Sequence, residues 1–304
     1  MRTEMPLVSV IIPTYNRSTV LRRAIQSVLG QTYRHVQCIV VDDASYDDTK
    51  SVVHQFADDR LIYICHKINR HASAARNTGI AHAAGNFIAF LDDDDEWLSN
   101  KLEKQVPLLL QAPGDVGLVY CWMDYYRDGT LIHQHHPTLR GYVFDKVLDR
   151  QRLGGCPTLL VRREVVEVVG GFDESLLRGN DGDFIRRVCH EYHVDYVPEV
   201  LVRVYADQGR KQISDDDEQG LRNAIRGHLT KVHKFGGEIN LYPKEFAHIF
   251  STIGRLQLEI GETCRGLLSF LRALRTYPVS STVYLDFIRS IRHLLVAKLR
   301  RDYG

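Results

Sequence analysis

Four carboxylates in a row, Asp92, Asp93, Asp94 and Asp95, follow the unbroken apolar run Phe87–Leu91 without a spacer. Carboxylates packed this densely repel one another, so a chain that places them where a core strand ends must offset them with a cation. A hard divalent metal, Mg2+ or Mn2+, suits carboxylate oxygens. The competing reading is an acidic loop in free solvent. A second pair, Asp42-Asp43, follows the run Val36–Val41 in the same way. Arg76 is the one strongly cationic group in the first turns of a helix of small residues, Ala72-Ser-Ala-Ala-Arg-Asn77. A planar guanidinium near a metal site is suited to gripping phosphate, and its blander alternative is an ion pair with one of the surplus aspartates. Asp181 and Asp183 lie at the opening of another helix. Either could cap it, but not both, which leaves one carboxylate for chemistry. His133, His135 and His136 are dense enough for zinc, yet no cysteine or acidic partner stands nearby at finger-like spacing, so substrate contact or plain surface is the better reading.

The elements that must position these groups are legible as alternating patterns. Leu7–Ile12 is a strand that ends at Pro13, with turn chemistry at Thr14-Tyr15-Asn16. Apolar residues at helical spacing follow over Val20–Leu29, then a strand at Val36–Val41, with Asp47 and Asp48 as caps for the next helix. Leu61–Cys65 is a third strand, and the small-residue helix after it is ended by Gly85. Phe87–Leu91 reads as a strand buried on both faces. This alternation predicts an α/β fold with a parallel, doubly wound sheet, whose ligands bind at the carboxyl ends of the strands. Neither a Gly-x-Gly-x-x-Gly nor a Walker-type loop follows the first strand, so a nucleotide here would be held by carboxylates and a metal. Further on, Asp128-Gly129 marks a hairpin between Leu118–Tyr126 and Thr130–His133. Thr158–Val161 reads as a strand and Arg163–Val169 as a short helix.

The 304 residues are 44% hydrophobic, enough for a real core, and 39 basic residues against 38 acidic ones give no support to a nucleic-acid binder working by bulk charge. No apolar run approaches the ~18 to 20 residues that span a bilayer, and Met1–Pro6 has no signal-peptide core, so the expected location is the cytoplasm. Six scattered cysteines without a Cys-x-x-Cys pair read as reduced and structural. The polar stretch Gln208–Gly220 sets a boundary between residues 1–206 and a helical region, 207–304, broken at Gly236-Gly237, Pro243, Gly261 and Pro278. From Arg265 to Gly304 eight basic residues face two acidic ones, and Tyr284, Ile288, Ile291, Leu295 and Leu299 share one helical face. Such a helix either touches a membrane surface or packs on the main domain.

Six blocks in this order resemble the family 2 glycosyltransferases of GT-A fold: Val8–Asn16, Val40–Ser45, Ala75-Arg-Asn77 with Gly79, Phe90–Asp95, Gly170–Glu174 and Asn180-Asp181. The resemblance covers roughly the first 205 residues. It implies a Rossmann-like, mostly parallel sheet flanked by helices, with a C-terminal helical extension, and an inverting transfer from a nucleotide-sugar donor, a UDP-sugar by default, to a saccharide or lipid-linked saccharide acceptor. It places Pro13, Thr14 and Tyr15 at the base and ribose and Asp43 on the base. Asp92-Asp93-Asp94 looks like the family's Asp-x-Asp, with Asp93 near the ribose and sugar and Asp94, with Asp92, on the metal. Arg76 falls near the diphosphate and Asp181 at the general base. Asn180 stands where the family usually has Glu, and His71-Ala-Ser73 where glycines are common. Polysaccharide or glycolipid synthesis at the inner face of a membrane, contacts of the basic C-terminal helix with that surface, and a homo-oligomer complete the expectation. Two rivals remain: a non-catalytic nucleotide-sugar binder, which leaves Asp181 unexplained, and a phospho-acceptor domain, whose acidic pair follows the first strand rather than the second.

Overall fold

The computed structural model describes residues 5–206 and 217–303, with residues 293–303 by backbone alone. These fall into two compact units, one of residues 5–147 and 151–206, the other of 148–150 and 217–303. Asp207 and the first part of the polar stretch, where the sequence places its boundary, lie outside the described residues.

The first unit runs β1 (Val8–Thr14), α1 (Ser18–Leu29), β2 (Val36–Asp42), α2 (Thr49–Val53), β3 (Leu61–Cys65), α3 (His71–His82), β4 (Phe87–Phe90), β5 (Glu96–Trp97), α4 (Lys101–Gln111), β6 (Val116–Arg127), β7 (Thr130–His135), α5 (Phe144–Val147), β8 (Leu160–Arg162), α6 (Arg163–Val169), α7 (Asn180–Glu191) and β9 (His193–Tyr205). One sheet has the order β3-β2-β1-β4-β8-β6-β9-β5, with β7 on β6. β1 pairs in parallel with β2 and β4, and β2 with β3, as the βα alternation demands. Beyond β4 the sheet turns mixed, because β8 and then β6 enter antiparallel.

Every residue of β1 and β4 is buried because helices cover both faces. Val8, Val10 and Ile12, with Phe87 and Ala89, face Leu21, Ile25 and Val28 of α1 and Leu102 and Val106 of α4. Ile11, Ile88 and Phe90 face the other way, into a core built by Ala75 of α3, Val165 of α6 and Phe184 and Val188 of α7. Successive residues of a strand point to opposite faces, so a continuous apolar run is what such a strand requires.

Three local expectations are corrected. β1 does not stop before Pro13; Pro13 and Thr14 continue the ladder opposite Val41 and Asp42. Thr158 lies in a 3-10 turn, Cys156–Thr158, and the strand begins at Leu160. Gly85 does not end α3, which finishes at His82. A Cβ at Gly85 would lie 2.6 Å from Leu7 O and from Ser9 N, so the glycine admits the close approach of β1. The Asp128-Gly129 turn is as expected, both residues having positive φ, 49° and 74°.

The second unit holds α8 (Glu218–Phe235), α9 (Pro243–Glu259), α10 (Thr263–Thr276) and α11 (Ser281–Tyr303), breaking where the glycines and prolines fall. α9 is its centre, burying Phe246, Ile249, Phe250 and Ile253. α11 packs inward through Val283, through Asp286, which accepts from Ser251 Oγ at 3.1 Å, and through Phe287 against Phe270. The expected apolar face is therefore not the one packed within this unit: Tyr284 and Ile288 are exposed. The side chains of Leu295 and Leu299 lie outside the described residues. No helix among the described residues is long and apolar enough to cross a membrane.

Candidate active site

Leu91 N still bonds Ile11 O, so the sheet register persists until the first carboxylate. The chain then turns, Asp95 N donating to Asp92 O at 3.1 Å, and leaves through β5, which pairs with the far end of β9. The acidic run is thus a tight turn at the carboxyl edge of the sheet. Asp92 Oδ1 accepts from Arg76 Nη2 at 2.7 Å and Asp94 Oδ2 from Arg17 Nη1 at 2.6 Å. Arg23 donates to the Asp94 carbonyl, its guanidinium 3.8 Å from the centre of the Tyr205 ring. Glu96 accepts from the Tyr205 hydroxyl at 2.7 Å.

The electrostatics are those of crowded carboxylates. Burial and then the charge of Asp94 push the Asp93 carboxyl up to about 7, against the Thr14 hydroxyl and Arg17. Burial and Asp92 also raise Asp94, and burial with the charges of Asp92 and Asp94 holds Asp95 well above the ordinary carboxylate range. A cation placed here would relieve all three.

Arg76 reaches this turn from α3. Burial works against its charge, yet the Cys156 sulfur, Asp92 and Asp181 more than offset that and keep its guanidinium above its ordinary pKa. Its Nη1 lies 3.5 Å from Asn180 Oδ1, and the Phe172 ring sits 5.2 Å from its centre. Its Nε is buried without a hydrogen-bond partner among the described residues. Such an orphaned donor is costly unless a ligand oxygen meets it.

Asp181 is the second residue of α7 and not its cap; Gly179 holds that position, in the left-handed conformation. Asp181 Oδ1 accepts from Gly182 N at 2.7 Å, while Oδ2 has no hydrogen-bond partner among the described residues and lies 4.0 Å from where a Cβ on Gly155 would sit. Asp183 is engaged by Arg187 at 3.0 Å. Of the two acids that open α7, Asp181 is therefore the one with an oxygen to spare.

The sequence profile of glycosyl transferase family 2 matches residues 9–170, over half of the chain. The chain belongs to that family. Among the relatives, the Escherichia coli UDP-Glc:alpha-D-GlcNAc-diphosphoundecaprenol beta-1,3-glucosyltransferase WfgD is 44% identical over 160 residues, 53% of this chain and 62% of that protein. Among solved structures, Staphylococcus aureus TarS 1-349 in complex with UDP superposes with a TM-score of 0.60 at 17% identity, covering 93% of this chain and 91% of that one. The mannosyltransferase PcManGT of Pyrobaculum calidifontis, in complex with GDP-Man and Mn2+, gives 0.59 at 17% identity over 96% and 81%. The GT-A architecture is thereby shown, and the protein is a transferase of this class.

In this glycosyltransferase the remaining expected donor residues line the neighbouring strand ends. Pro13 and Thr14 are buried in β1, whereas Tyr15 is 42% exposed and meets the 85% exposed Tyr46 edge to face at 6.3 Å. Asp43 is buried, its oxygens taken by Arg70 N at 2.9 and 3.0 Å and by His66 Nδ1 at 2.6 Å. Three non-glycine residues with positive φ, Asn16, Ala44 and His71, sit at these loops. His71, with φ of 67°, falls in the segment where the family commonly has glycines, which this backbone favours.

Among the described residues no three His, Cys, Asp or Glu side chains converge on one point for a metal. One or two carboxylates suffice for Mg2+ or Mn2+ when substrate phosphates and water complete the shell. Asp92 and Asp94, with side chains 37% and 25% exposed, fit that donor set. The histidines do not: His136 pairs with Asp124 at 2.8 Å and stacks on Trp122, while His133 lies against Tyr125.

Sequence reasoning missed several partners. Asn77 clamps the Gly170–Glu174 turn, accepting from Phe172 N at 2.7 Å and donating to Phe172 O and Glu174 Oε1, both at 2.9 Å, which explains why those two blocks occur together. Burial, and then the charges of Asp95 and Asp181, raise the phenol of Tyr125, which the sequence places only in a hairpin strand. Cys156 lies beside Arg76 and Asp181, its thiol pushed above the ordinary range chiefly by burial.

Proposed function

We propose that this family 2 glycosyltransferase inverts the anomeric centre as it moves a sugar from a nucleoside-diphosphate donor, a UDP-sugar, to a hydroxyl of a saccharide or lipid-linked saccharide acceptor. WfgD, named for a UDP-Glc donor and a diphosphoundecaprenol-linked acceptor, supports that substrate class. The observation that carries the reading is the meeting of α3, α7 and the end of β4: a buried guanidinium whose Nε–H has no partner among the described residues feels the charge of a carboxylate whose Oδ2 has none there either.

In this reading Tyr15, with Pro13, Thr14 and Asp43, receives the nucleoside, and Asp93 lies toward the ribose and sugar. Asp94 and Asp92 would hold a divalent metal, whose chemistry would be to offset negative charge on the diphosphate. Arg76 offers its Nε–H to the same diphosphate from a fixed position, so little reorganisation accompanies bond breaking. Asp181 Oδ2 takes the proton of the acceptor hydroxyl as that oxygen attacks the anomeric carbon from the face opposite the leaving group. Residues 1–206 would supply donor binding and catalysis, and the helical region 207–304 contacts with acceptor, membrane surface or a second copy. On α11, exposed Tyr284, Leu285 and Ile288 beside Arg289 suit an anionic bilayer surface.

The decisive variant is Asp181→Asn. Loss of the base should lower turnover by about 10²- to 10⁴-fold while the affinity for UDP, read by calorimetry, stays close to wild type. Turnover within a few-fold of wild type would remove Asp181 from the reaction and return the reading to a binding protein.

A further inference from the structure

The two carboxylates assigned to the metal are each held by an arginine, and the two arginines differ. Arg76 is buried, backed by Phe172 and tied to Asn180. Arg17 occupies the position just before α1, with its side chain 26% exposed. Its loop is pinned by backbone and short side chains: Asn16 N donates to Ser45 Oγ at 2.8 Å, and Asn16 Oδ1 accepts from Tyr46 N at 2.9 Å. Arg23 bonds the Asp94 carbonyl rather than its carboxylate, so the turn keeps its shape whether or not Arg17 is in place. The Arg17 head is thus a cation on a long, partly solvated stem, set on an anchored backbone, 2.6 Å from Asp94 Oδ2.

A divalent cation on Asp94 would compete with that guanidinium for the same oxygen and repel it. A nucleoside diphosphate, by contrast, offers a guanidinium new oxygens in a geometry it matches well. We propose that Arg17 is a displaceable counter-ion. It neutralises Asp94 while the site lacks metal and nucleotide, and passes to the diphosphate when the metal takes the carboxylate. This rests on the transferase reading of the same site. It makes Arg17 a positioning residue that couples the two ligands: metal alone must displace a bound cation, whereas metal with nucleotide finds that cation a new partner. Coupling of this kind is reciprocal.

The test is Mn2+ binding by the full chain, followed by the electron paramagnetic resonance of free Mn2+, alone and with UDP or GDP. The variants are Arg17→Gln, Arg17→Lys, and Arg203→Gln as a control that removes one charge from Glu96 of the same loop. Arg17→Gln should bind Mn2+ without nucleotide about tenfold more tightly than wild type, and the gain from adding nucleotide should shrink by a similar factor. Arg17→Lys, which keeps the charge, should stay near wild type, and so should Arg203→Gln. Equal gains in Arg17→Gln and Arg203→Gln would reduce the effect to bulk charge and overturn the proposal. So would Mn2+ affinity unchanged in Arg17→Gln while nucleotide still tightens binding in every form; the metal site itself would then stand. Absence of Mn2+ binding in all forms, with either nucleotide, would instead remove the metal reading on which the proposal rests. Should Arg17→Gln lose its far-ultraviolet circular dichroism, Arg17→Ala takes its place, with the same expected and overturning results.

Discussion

At the end of β2, Asp42 and Asp43 give their oxygens to donors from within the chain. Asp42 accepts from Ser45 N at 2.8 Å and from the Tyr63 hydroxyl at 2.6 Å, and Asp43 accepts from Arg70 N and His66. At the end of β4, two strands away through β1, Asp92 and Asp94 face arginines instead, and Asp93 to Asp95 all sit above their ordinary pKa range. The local sequence is the same in both places, an apolar strand followed at once by aspartates. What separates them is the nature of the partner. Neutral N–H and O–H donors match a carboxylate's lone pairs one by one and fix a loop, whereas a single arginine, above all Arg17 on its partly solvated stem, leaves a carboxylate that a stronger cation can claim. Asp42 at the first strand end holds a loop, and in the proposed reading Asp92 and Asp94 at the second hold a ligand.

Of the variants that set the two strand ends apart, Asp94→Asn should have the largest effect. With a carboxylate oxygen gone from the metal position, kcat/KM should fall by about 10²- to 10³-fold, while the melting temperature should hold or rise, since a crowded charge has been removed. A melting point that drops as far as in an Asp42 variant would erase the contrast between the two strand ends. Asp42→Asn sharpens it from the other side. The amide puts a donor against Ser45 N or the Tyr63 hydroxyl, so folding stability should fall by about 1–3 kcal/mol. Turnover per folded molecule should stay within a few-fold. Denaturant melts and activity of the same samples would separate the two effects.

Much of the positioning framework could be read in advance, because it depends on local pattern. The apolar runs of β1, β2 and β4 are continuous since both sheet faces are covered, and the small residues of α3 admit a close approach in which a Cβ at Gly79 would lie 2.4 Å from Ile11 Cγ2. What stayed hidden depends on contacts between distant residues. Arg17, just before α1, and Arg23, within it, reach Asp94 across 77 and 71 residues of chain, and nothing in their local sequence reports that contact. Gly85 resembles a helix stop because nothing local reports that β1 passes against it. Asp181 could be narrowed to one of two acids, and only the Arg187 bond to Asp183 decides between them.

Lys101 offers the smallest and most diagnostic extension of the comparison, a buried charge whose partners are weak. It lies fully buried with Nζ 2.6 Å from Gln105 Oε1 and 3.9 Å from the centre of the Trp97 ring, just past the acidic turn. One amide oxygen and an aromatic face do not replace water, and burial lowers its pKa from 10.5 to about 8. Between those values the unfolded chain binds the extra proton, so stability rises with pH, by up to about 1.4 kcal/mol per unit for one group. Below pH 8 the whole cost of the buried charge is present. Lys101→Met should therefore be more stable than wild type at pH 7, and the difference should narrow through pH 8 to 10 as the wild-type lysine discharges. A difference that stays constant over that interval would mean that Gln105 and Trp97 match the ammonium as well as the β2 donors match Asp42, and partner type would no longer explain which buried charges are scaffold.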